Sequence, residues 1–586
     1  MRKKLRILIV LPLLLLLGGY LYLRFSLEKS IGREEEKMGG QLPTPDTLGG
    51  KKVSVADLRP LFIKRVQTLL KKSSNNLYNL SIGDLQLDVT ASTLSLHQVK
   101  LRPDSAVLHS LIRTGNLPQN VFSASFDSLL IEGINLDDAL TSKTLDFKRI
   151  KLSRPAIIIH RKKAAPKTQA EKEDFSQRFL KEMEKLSVNQ LQIDNGTIMV
   201  YNDVKKGPPL KLSRVAVDMS NILLDSATRL DKERFLFAKE ATLSVEDYRR
   251  PTPDGLYEIR LGKAEVTAHK RQVKLRNFSF ASPLSRQAFT KKQTQAKELY
   301  NVQLPSITIS GVNWWDLLNE EEIAASEITT SGGKLSIFLD RTLPPKNKMG
   351  NFPSQLLMKV PLKLNIAKFL LKDLQFSYAE FNPLSGGTGT VSMDNVKLDI
   401  SNLSNQTPNR PVIIDGSAMF MGTVPLQAQF SFDLLKHKTG AFTAFLKTGG
   451  FDATLINAFA EPVGLMKMEK GKLLGIQASM TGDQWKSKGT VFIPYEDLNL
   501  SLMEKEPGKK KLDKKDVTSF LANALVLKNN NPKEGKKSRR ETAEFTRIPE
   551  GGFFMLVWKT VLVGALRTMG APEKIAYKTA GSAHKK

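Results

Sequence analysis

The chain has 586 residues, of which 41% are hydrophobic and 25% are charged, a composition that indicates folded protein and excludes wholesale disorder. Lys and Arg number 88 against 59 Asp and Glu, and the formal net charge of +29 favours anionic surfaces such as lipid headgroups, acidic polymers or nucleic acid. There is no cysteine, which excludes disulfides, thiolate catalysis and thiolate-bound metals.

The N-terminus predicts a membrane anchor. Residues 1–6 are basic, and the uncharged run over 7–23 spans about 26 Å as a helix, near the lower limit for crossing a bilayer. A cleaved signal peptide is the alternative, but its apolar region is usually shorter and ends at an A-x-A-like site, which does not follow here. We predict a cytoplasmic segment 1–6, a transmembrane anchor over 7–25, and a juxtamembrane linker with an amphipathic helix over 26–79.

The basic residues before the anchor are more densely packed than those after it, which favours a cytoplasmic N-terminus. In a bacterium this predicts a single-pass inner-membrane protein whose large domain lies in the periplasm.

An internal repeat follows the anchor. The pentapeptide QVKLR occurs at residues 98–102 and 272–276, which is the first sign of duplication. SLLIEGINLDDAL from Ser128 aligns with SITISGVNWWDLL from Ser306, and LSVNQLQIDNGTIMVY from Leu186 aligns with LNIAKFLLKDLQFSYA from Leu364. The landmarks keep the same order in both copies. We therefore predict a tandem duplication of a β module, with copy 1 over 80–255 and copy 2 over 256–433.

Both copies show the alternation that is typical of half-buried strands. In LQLDVTA (residues 85–91) the apolar side chains share one face and the polar ones the other, and KLSIFLD repeats this period of two. We predict a mainly β fold with an elongated, curled antiparallel sheet and few helices, the clearest over 55–72, 169–185 and 552–569. The apolar face is compatible with cover by a second sheet or with cover by a ligand such as acyl chains.

The C-terminal β region, 434–503, carries the most specific pattern. It contains LIN before Pro462, a hairpin that Gly471 begins, and GTVFIPYEDLNL from Gly489 with the spacing G-x5-Y-x-D-L. With the anchor and the strands SIGDLQLDVTASTLSLHQVKLRPD, this pattern resembles the AsmA-like family, whose superfamily includes TamB-like and other bridge-like repeating β-groove proteins.

The resemblance implies a hydrophobic β-groove that binds or conducts phospholipid and supports outer-membrane biogenesis and envelope integrity. It implies phospholipid as ligand, and the inner membrane, reached through the anchor, as a partner. Acyl chains would be held by apolar burial at about 25 cal/mol per Å2. By strand alternation the candidate lining residues, which ordinary core packing explains equally well, are Leu85, Leu87, Val89, Ile193, Ile198, Val200, Leu371, Phe376 and Tyr378.

Two segments follow the β region. Residues 504–551 hold 13 Lys and Arg against 8 Asp and Glu between Glu504 and Glu550, and we predict a basic flexible linker there. Residues 552–586 predict an amphipathic helix and tail that cap the groove, lie on a membrane or contact outer-membrane or envelope proteins. A second membrane span is disfavoured because Lys559 and Arg567 interrupt it. The apolar face of this helix is predicted from Phe553, Phe554, Leu556, Val557, Val561 and Leu562.

Nothing in the sequence indicates an enzyme. The six histidines are scattered without metal-ligand spacing, and no nucleophile-elbow, phosphate-loop or H-E-x-x-H motif occurs. We therefore expect no catalytic residues, no cofactor and no metal. The main alternative function is a non-enzymatic envelope scaffold or assembly factor with a closed β core. Nucleic acid is not expected as a partner because aromatic residues are 7% and no reader motif is present.

Overall fold

The structure is a computed structural model, and it describes residues 63–64, 67–68, 70–71, 74–88, 90–118, 120–133, 144–162, 180, 184–204, 207–320, 322–505, 512–516 and 528–582. The predicted anchor over 7–25 lies outside these residues, as do segment 1–6 and most of 26–79. Of the helices that the structure describes, none combines the length and the apolar character needed to cross a bilayer.

The described part of the chain is mainly β, with 55% of its residues in strands and 16% in helices. Its strands form a mixed sheet of 22 and a second sheet of four, β20, β21, β24 and β25 in the numbering below. In chain order the strands are β1 Tyr78–Ser81, β2 Asp84–Asp88, β3 Thr93–Pro103, β4 Asn120–Glu132, β5 Thr144–Ser153, β6 Ala156–Arg161, β7 Lys185–Asn202, β8 Leu210–Leu224, β9 Ala238–Pro251, β10 Glu258–Thr267, β11 Gln272–Ala281, β12 Glu298–Ser310, β13 Glu322–Ser331, β14 Lys334–Asp340, β15 Lys363–Asn382, β16 Gly387–Ser404, β17 Val412–Phe420, β18 Val424–Phe432, β19 Phe442–Thr448, β20 Phe451–Asp452, β21 Met466–Leu473, β22 Gln477–Gly482, β23 Lys486–Phe492, β24 Tyr495–Lys505, β25 Leu512–Asp516 and β26 Arg540–Thr546.

Among the residues that the structure describes, the helices with defined bounds are short, except for one near the C-terminus. These α-helices are α1 Ser105–Arg113, α2 Arg286–Lys291, α3 Trp314–Asn319, α4 Pro353–Met358, α5 Asn457–Ala460, α6 Phe553–Thr568 and α7 Glu573–Ala580, and 3-10 turns cover Thr228–Leu230, Leu434–Lys436 and Ala453–Ile456. The described chain divides into two compact units. The first takes the residues up to 253 with 260–274 and 314–321, and the second takes the others.

In the first unit, β5 and β6 act as one long strand that is interrupted at Arg154 (φ 46°) and the proline after it. Both pair antiparallel with β4 and parallel with β7. The sequence predicts an antiparallel sheet, and these parallel pairs make it mixed. The reason is the connection over 162–184, which is long enough for the crossover that a parallel pair needs.

The same arrangement recurs in the second unit. There β13 and β14 pair antiparallel with β12 and parallel with β15, with an interruption at Gly332 and Gly333. Strands β12 and β13 begin and end 178 residues after β4 and β5. The two QVKLR pentapeptides, however, do not occupy equivalent positions in the two copies of this repeat. Gln98 (φ 50°) in β3 corresponds to Asn277 (φ 53°) in β11, whereas the second QVKLR ends at Arg276.

The first unit closes its apolar face against solvent. Along β5, β7 and β8 most inward side chains are buried, with exposures of 0–9%. They include Leu145, Ile150, Leu186, Leu191 and Met219.

The second unit builds its main core where α6 lies on the sheet. Strands β15 to β19, then β22, β23 and β26, pair antiparallel in succession. One face carries the row Ile400, Ile414, Phe430, Ala444 and Met480, and the other carries residues such as Asp399, Asp415 and Gln429. The ring of Phe553 in α6 packs on Phe430, Phe432 and Phe442, with centroids 5.6, 5.4 and 4.9 Å away.

Part of the segment 504–551, predicted to be a flexible linker, is folded. Strand β26 pairs with β23, and Asn531 is fully buried with its amide donating to the carbonyls of Ile493 and Arg539. Basic composition predicts a solvated chain, but the alternating residues of RETAEFT place Ala543 and Phe545 in the core.

Candidate functional site

The lining residues predicted in copy 1 lie mostly in a closed core. Leu85 is 3% exposed, and Ile193 and Ile198 in β7 are 4% exposed, while Val200 is half-buried. The side chain of Leu87 and all of Val89 lie outside the described residues. Ile193 and Ile198 are both buried despite their odd spacing because the strand bulges between them, where the φ of Asn195 is 52°.

The lining residues predicted in copy 2 remain closer to solvent. Leu371 is 8% exposed, and Phe376 and Tyr378 are half-buried. A bulge at Asp373 (φ 58°) again keeps Leu371 and Phe376 on one face. Around them lies a small cluster made of Leu371, Leu374 and Val396, with partly buried Leu304, Leu335, Phe369, Phe376, Met393, Leu398 and Ala418 packed against it. We call these residues the half-open patch.

Helix α6 covers the apolar face beside this patch. Of its six predicted apolar-face residues, Phe553, Leu556 and Val557 are buried, and Val561 and Leu562 are half-buried. Phe554 is 69% exposed, because adjacent positions of a helix point about 100° apart. The packed face instead continues through positions that the sequence did not single out: Thr560, Val563 and Gly564.

Helix α6 also has an apolar second side, which the exposed rings of Phe554 and Trp558 mark. A row of aromatic rings leads from it toward β15. The ring centroids of Trp558 and Phe459 lie 6.5 Å apart, and those of Phe459 and Tyr378 lie 6.1 Å apart. The row therefore connects α6, α5 and β15, and it ends at Tyr378, one of the predicted lining residues.

A polar cluster lies at the Tyr378 end of this row. The Tyr378 hydroxyl donates to Glu380 Oε2 over 2.5 Å, and Arg341 Nη1 donates to Glu380 Oε1 over 3.0 Å. The Glu380 side chain is 12% exposed, whereas that of Arg341 is 47% exposed. Burial and the adjacent Glu380 carboxylate raise the pKa of the Tyr378 phenol above its ordinary value, so it stays a hydrogen-bond donor.

Lys559 of α6 is influenced by the charges of this cluster. Its ammonium lies 4.4 Å from the centre of the Trp558 ring. Within the described part of the chain, no hydrogen-bond acceptor or carboxylate reaches Lys559 Nζ. Burial, with a smaller effect from the charge of Arg341, lowers the pKa of Lys559 to about 8, and the charge of Glu380 opposes both effects. Among the described residues, this half-buried cation has no bonded counter-ion.

The sequence did not identify Arg341, Phe459 or Glu380 as candidates. They come from separate elements, and no local motif joins them. In the sequence, Lys559 stands out as a lone cation inside an apolar segment, but there it indicates only that membrane insertion is disfavoured.

Two depressions lie on the sheet of the second unit, and the first shares Leu371 and Leu398 with the half-open patch. One of about 660 Å3 runs across β15 to β18 and includes Lys397, Asp399 and Asp415; another of about 360 Å3 runs across β18, β19, β22 and β23. Lys368 pairs with Asp399 at 3.0 Å, so the charges there are largely matched. Both depressions contain serine side chains beside lysine, and the described residues hold no group of three or more potential metal ligands.

The polar cluster and the half-open patch together form the candidate site, which offers apolar contact and the N–H donors of Arg341 that Glu380 does not use. In comparisons with known proteins, no family model and no curated protein matches this chain.

Proposed function

We propose that this is a membrane-anchored periplasmic protein that binds or conducts phospholipid along a hydrophobic β-groove, without enzymatic chemistry. The observation that carries the proposal is the half-open patch, where aromatic and aliphatic side chains of β12, β15 and β16 keep partial access to solvent. Acyl chains have the chemistry to cover such a face. The resemblance to AsmA-like proteins supports the same reading and adds a role in outer-membrane biogenesis and envelope integrity.

Binding would depend on the apolar surface area that the lipid buries and not on hydrogen bonds or ion pairs. Burying about 100 Å2 of apolar surface contributes about 2.5 kcal/mol, which retains a tail without fixing its position. Helix α6 already covers the apolar face of β18, β19, β23 and β26. We therefore place the lipid tails beside it, on β15 to β17.

A second function, an envelope scaffold with a closed β core, is favoured by the first unit. There the predicted lining residues Ile193 and Ile198 are core residues, and neighbours such as Val188 and Met219 are fully buried. A protein closed in this way throughout would act through protein contacts and would need no lipid.

Lipid mass spectrometry on the full chain, extracted in detergent and washed at high salt, separates the two. We expect about one phospholipid or more per chain, and a several-fold loss in Leu398→Asp, which places a carboxylate in the half-open patch. Ser417→Asp is the matched control, because Ser417 is exposed on the polar face of the neighbouring strand.

A folded wild-type chain that carries no lipid would exclude the lipid-binding proposal in favour of the scaffold. Circular dichroism of both variants checks that the loss does not come from unfolding. Equal loss in the two variants would also count against a groove on the apolar face.

A further inference from the structure

We propose that the polar face of the sheet over β16 to β19, β22 and β23 binds an extended, uncharged glycan chain, which stacks on Phe445 and donates hydroxyl hydrogen bonds to Asp399. This site lies on the face opposite the apolar row of the same strands, and it does not depend on the proposed lipid function.

The ring of Phe445 lies among polar neighbours. In β19, Ala444 is buried in the core and Leu446 packs against it, so Phe445 lies on the other face of the strand. There the register places it directly between Gln429 and Ser479 of the two neighbouring strands. The face of an aromatic ring attracts C–H groups, and a sugar ring presents such groups along one side. Phe445 is therefore suited to stack on a sugar.

Hydrogen-bonding side chains continue on both sides of this ring. The strand register places one residue from each of these strands in a single row across the sheet: Asp399, Asp415, Gln429, Phe445, Ser479 and Thr490. Since neighbouring strands lie about 4.8 Å apart, the row is about 24 Å long, which is enough for several sugar rings of an extended chain.

The two depressions on this sheet meet at the row. The depression of about 660 Å3 and that of about 360 Å3 are both lined by Gln429 and Phe445. The two carboxylates of the row line the first depression, and its two hydroxyls line the second. The row thus has open space on either side of the Phe445 ring, as a chain that stacks on the ring requires.

One carboxylate of the row has an unused acceptor. Asp399 Oδ2 lies 3.0 Å from Lys368 Nζ, but Asp399 Oδ1 is buried and, within the described part of the chain, accepts no hydrogen bond. Such an oxygen costs free energy, and so does the like charge of Asp415 directly opposite, to whose Oδ1 Gln429 Nε2 donates over 2.6 Å. A glycan supplies O–H donors for these carboxylates, whereas an acidic polymer would add another negative charge.

The test uses uncharged glycans, so that the net charge of the protein does not decide the result. Chitohexaose, an extended chain, and maltohexaose, a coiled one, are titrated by calorimetry into the full-length protein in lauryldimethylamine oxide, a detergent without a sugar headgroup. Phe445→Ala removes the ring from the row. Phe492→Ala is the matched control, because Phe492 lies on the same face but the Arg540 guanidinium lies 4.4 Å from the centre of its ring.

We expect the wild type to bind chitohexaose and not maltohexaose, and Phe445→Ala to weaken chitohexaose binding roughly tenfold. Phe492→Ala should bind like the wild type. Asp399→Asn keeps the shape of the side chain but offers a weaker acceptor, so it should weaken binding several-fold. It also removes one of two facing charges, so its melting temperature should not fall.

Three results would overturn the site. A wild type that binds neither glycan would do so, and so would equal binding of the extended and the coiled chain. Equal weakening by Phe445→Ala and Phe492→Ala would show that the loss comes from a disturbed sheet and not from a stacking ring. Lipid binding by the same preparation is independent of all three results.

Discussion

Lys559 couples the stability of the second unit to pH. Its pKa is about 8 in the folded protein against 10.5 for an ordinary lysine, because burial disfavours the charged form. Below pH 8 both folded and unfolded chains carry this proton, so the cost of the buried charge is present in full. Between pH 8 and 10.5 the unfolded state binds more protons, so the free energy of unfolding contributed by this residue rises with pH.

We therefore predict that Lys559→Met raises the free energy of unfolding at pH 7 by about 2 kcal/mol, and that this advantage shrinks as pH rises toward 10.5. Urea denaturation of both proteins at pH 7 and pH 10 measures it. A constant difference across this pH range would show that the pKa of Lys559 is not lowered.

The sequence predicts least about the contacts of single residues. Alternation along β7 and β15 predicts that Ile193 and Leu371 lie on an apolar face, and both are buried in the structure. The cluster around Glu380 could not be predicted, because Arg341 reaches it from the end of β14, 39 positions earlier in the chain.

Among the secondary-structure elements, α6 depends on one close approach to the sheet. Gly564 faces Val491 of β23 so closely that an added Cβ would overlap the valine side chain. We predict that Gly564→Ala lowers the free energy of unfolding by about 1–3 kcal/mol, despite the better helix propensity of alanine. Thermal or urea denaturation measures this change.

Gly552, the residue before α6, is the matched control because its Cβ would meet open space. Gly552→Ala should lower the free energy of unfolding by less, about 0.5–1 kcal/mol, because glycine is a better N-cap than alanine. If Gly564→Ala is instead stabilising, α6 does not pack on β23 as described.

Strands were predictable as elements, but part of their pairing was not. A proline or a pair of glycines looks like a turn in the sequence, and both interruptions here, at Pro155 and at Gly332 and Gly333, fall inside strands that continue in the same direction. Parallel pairing follows from that continuation. A period of two says only which face is apolar, and it carries no information on strand direction.

On the scale of the whole molecule, the C-terminal segment completes a core that begins far upstream. Phe545, Phe553 and Leu556 are buried in the same cluster as Phe352 and Phe442. We predict that a chain ending at Leu502 exposes this cluster, binds a hydrophobic dye such as anilinonaphthalene sulfonate strongly, and aggregates. A chain that ends at Ser582 should behave like the full-length protein.

Dye fluorescence and size-exclusion chromatography of the two truncated chains provide the test. A monomeric chain ending at Leu502 that does not bind the dye would mean that β26 and α6 are dispensable for the core.

This late completion has a consequence for biosynthesis. Phe553 packs on Phe352, which precedes it by about 200 residues, with ring centroids 5.2 Å apart. At typical synthesis rates Phe352 is made roughly 10 to 40 s before its partner. For that interval the apolar face of the second unit lacks its own cover, and exposed apolar surface of this kind is prone to aggregate.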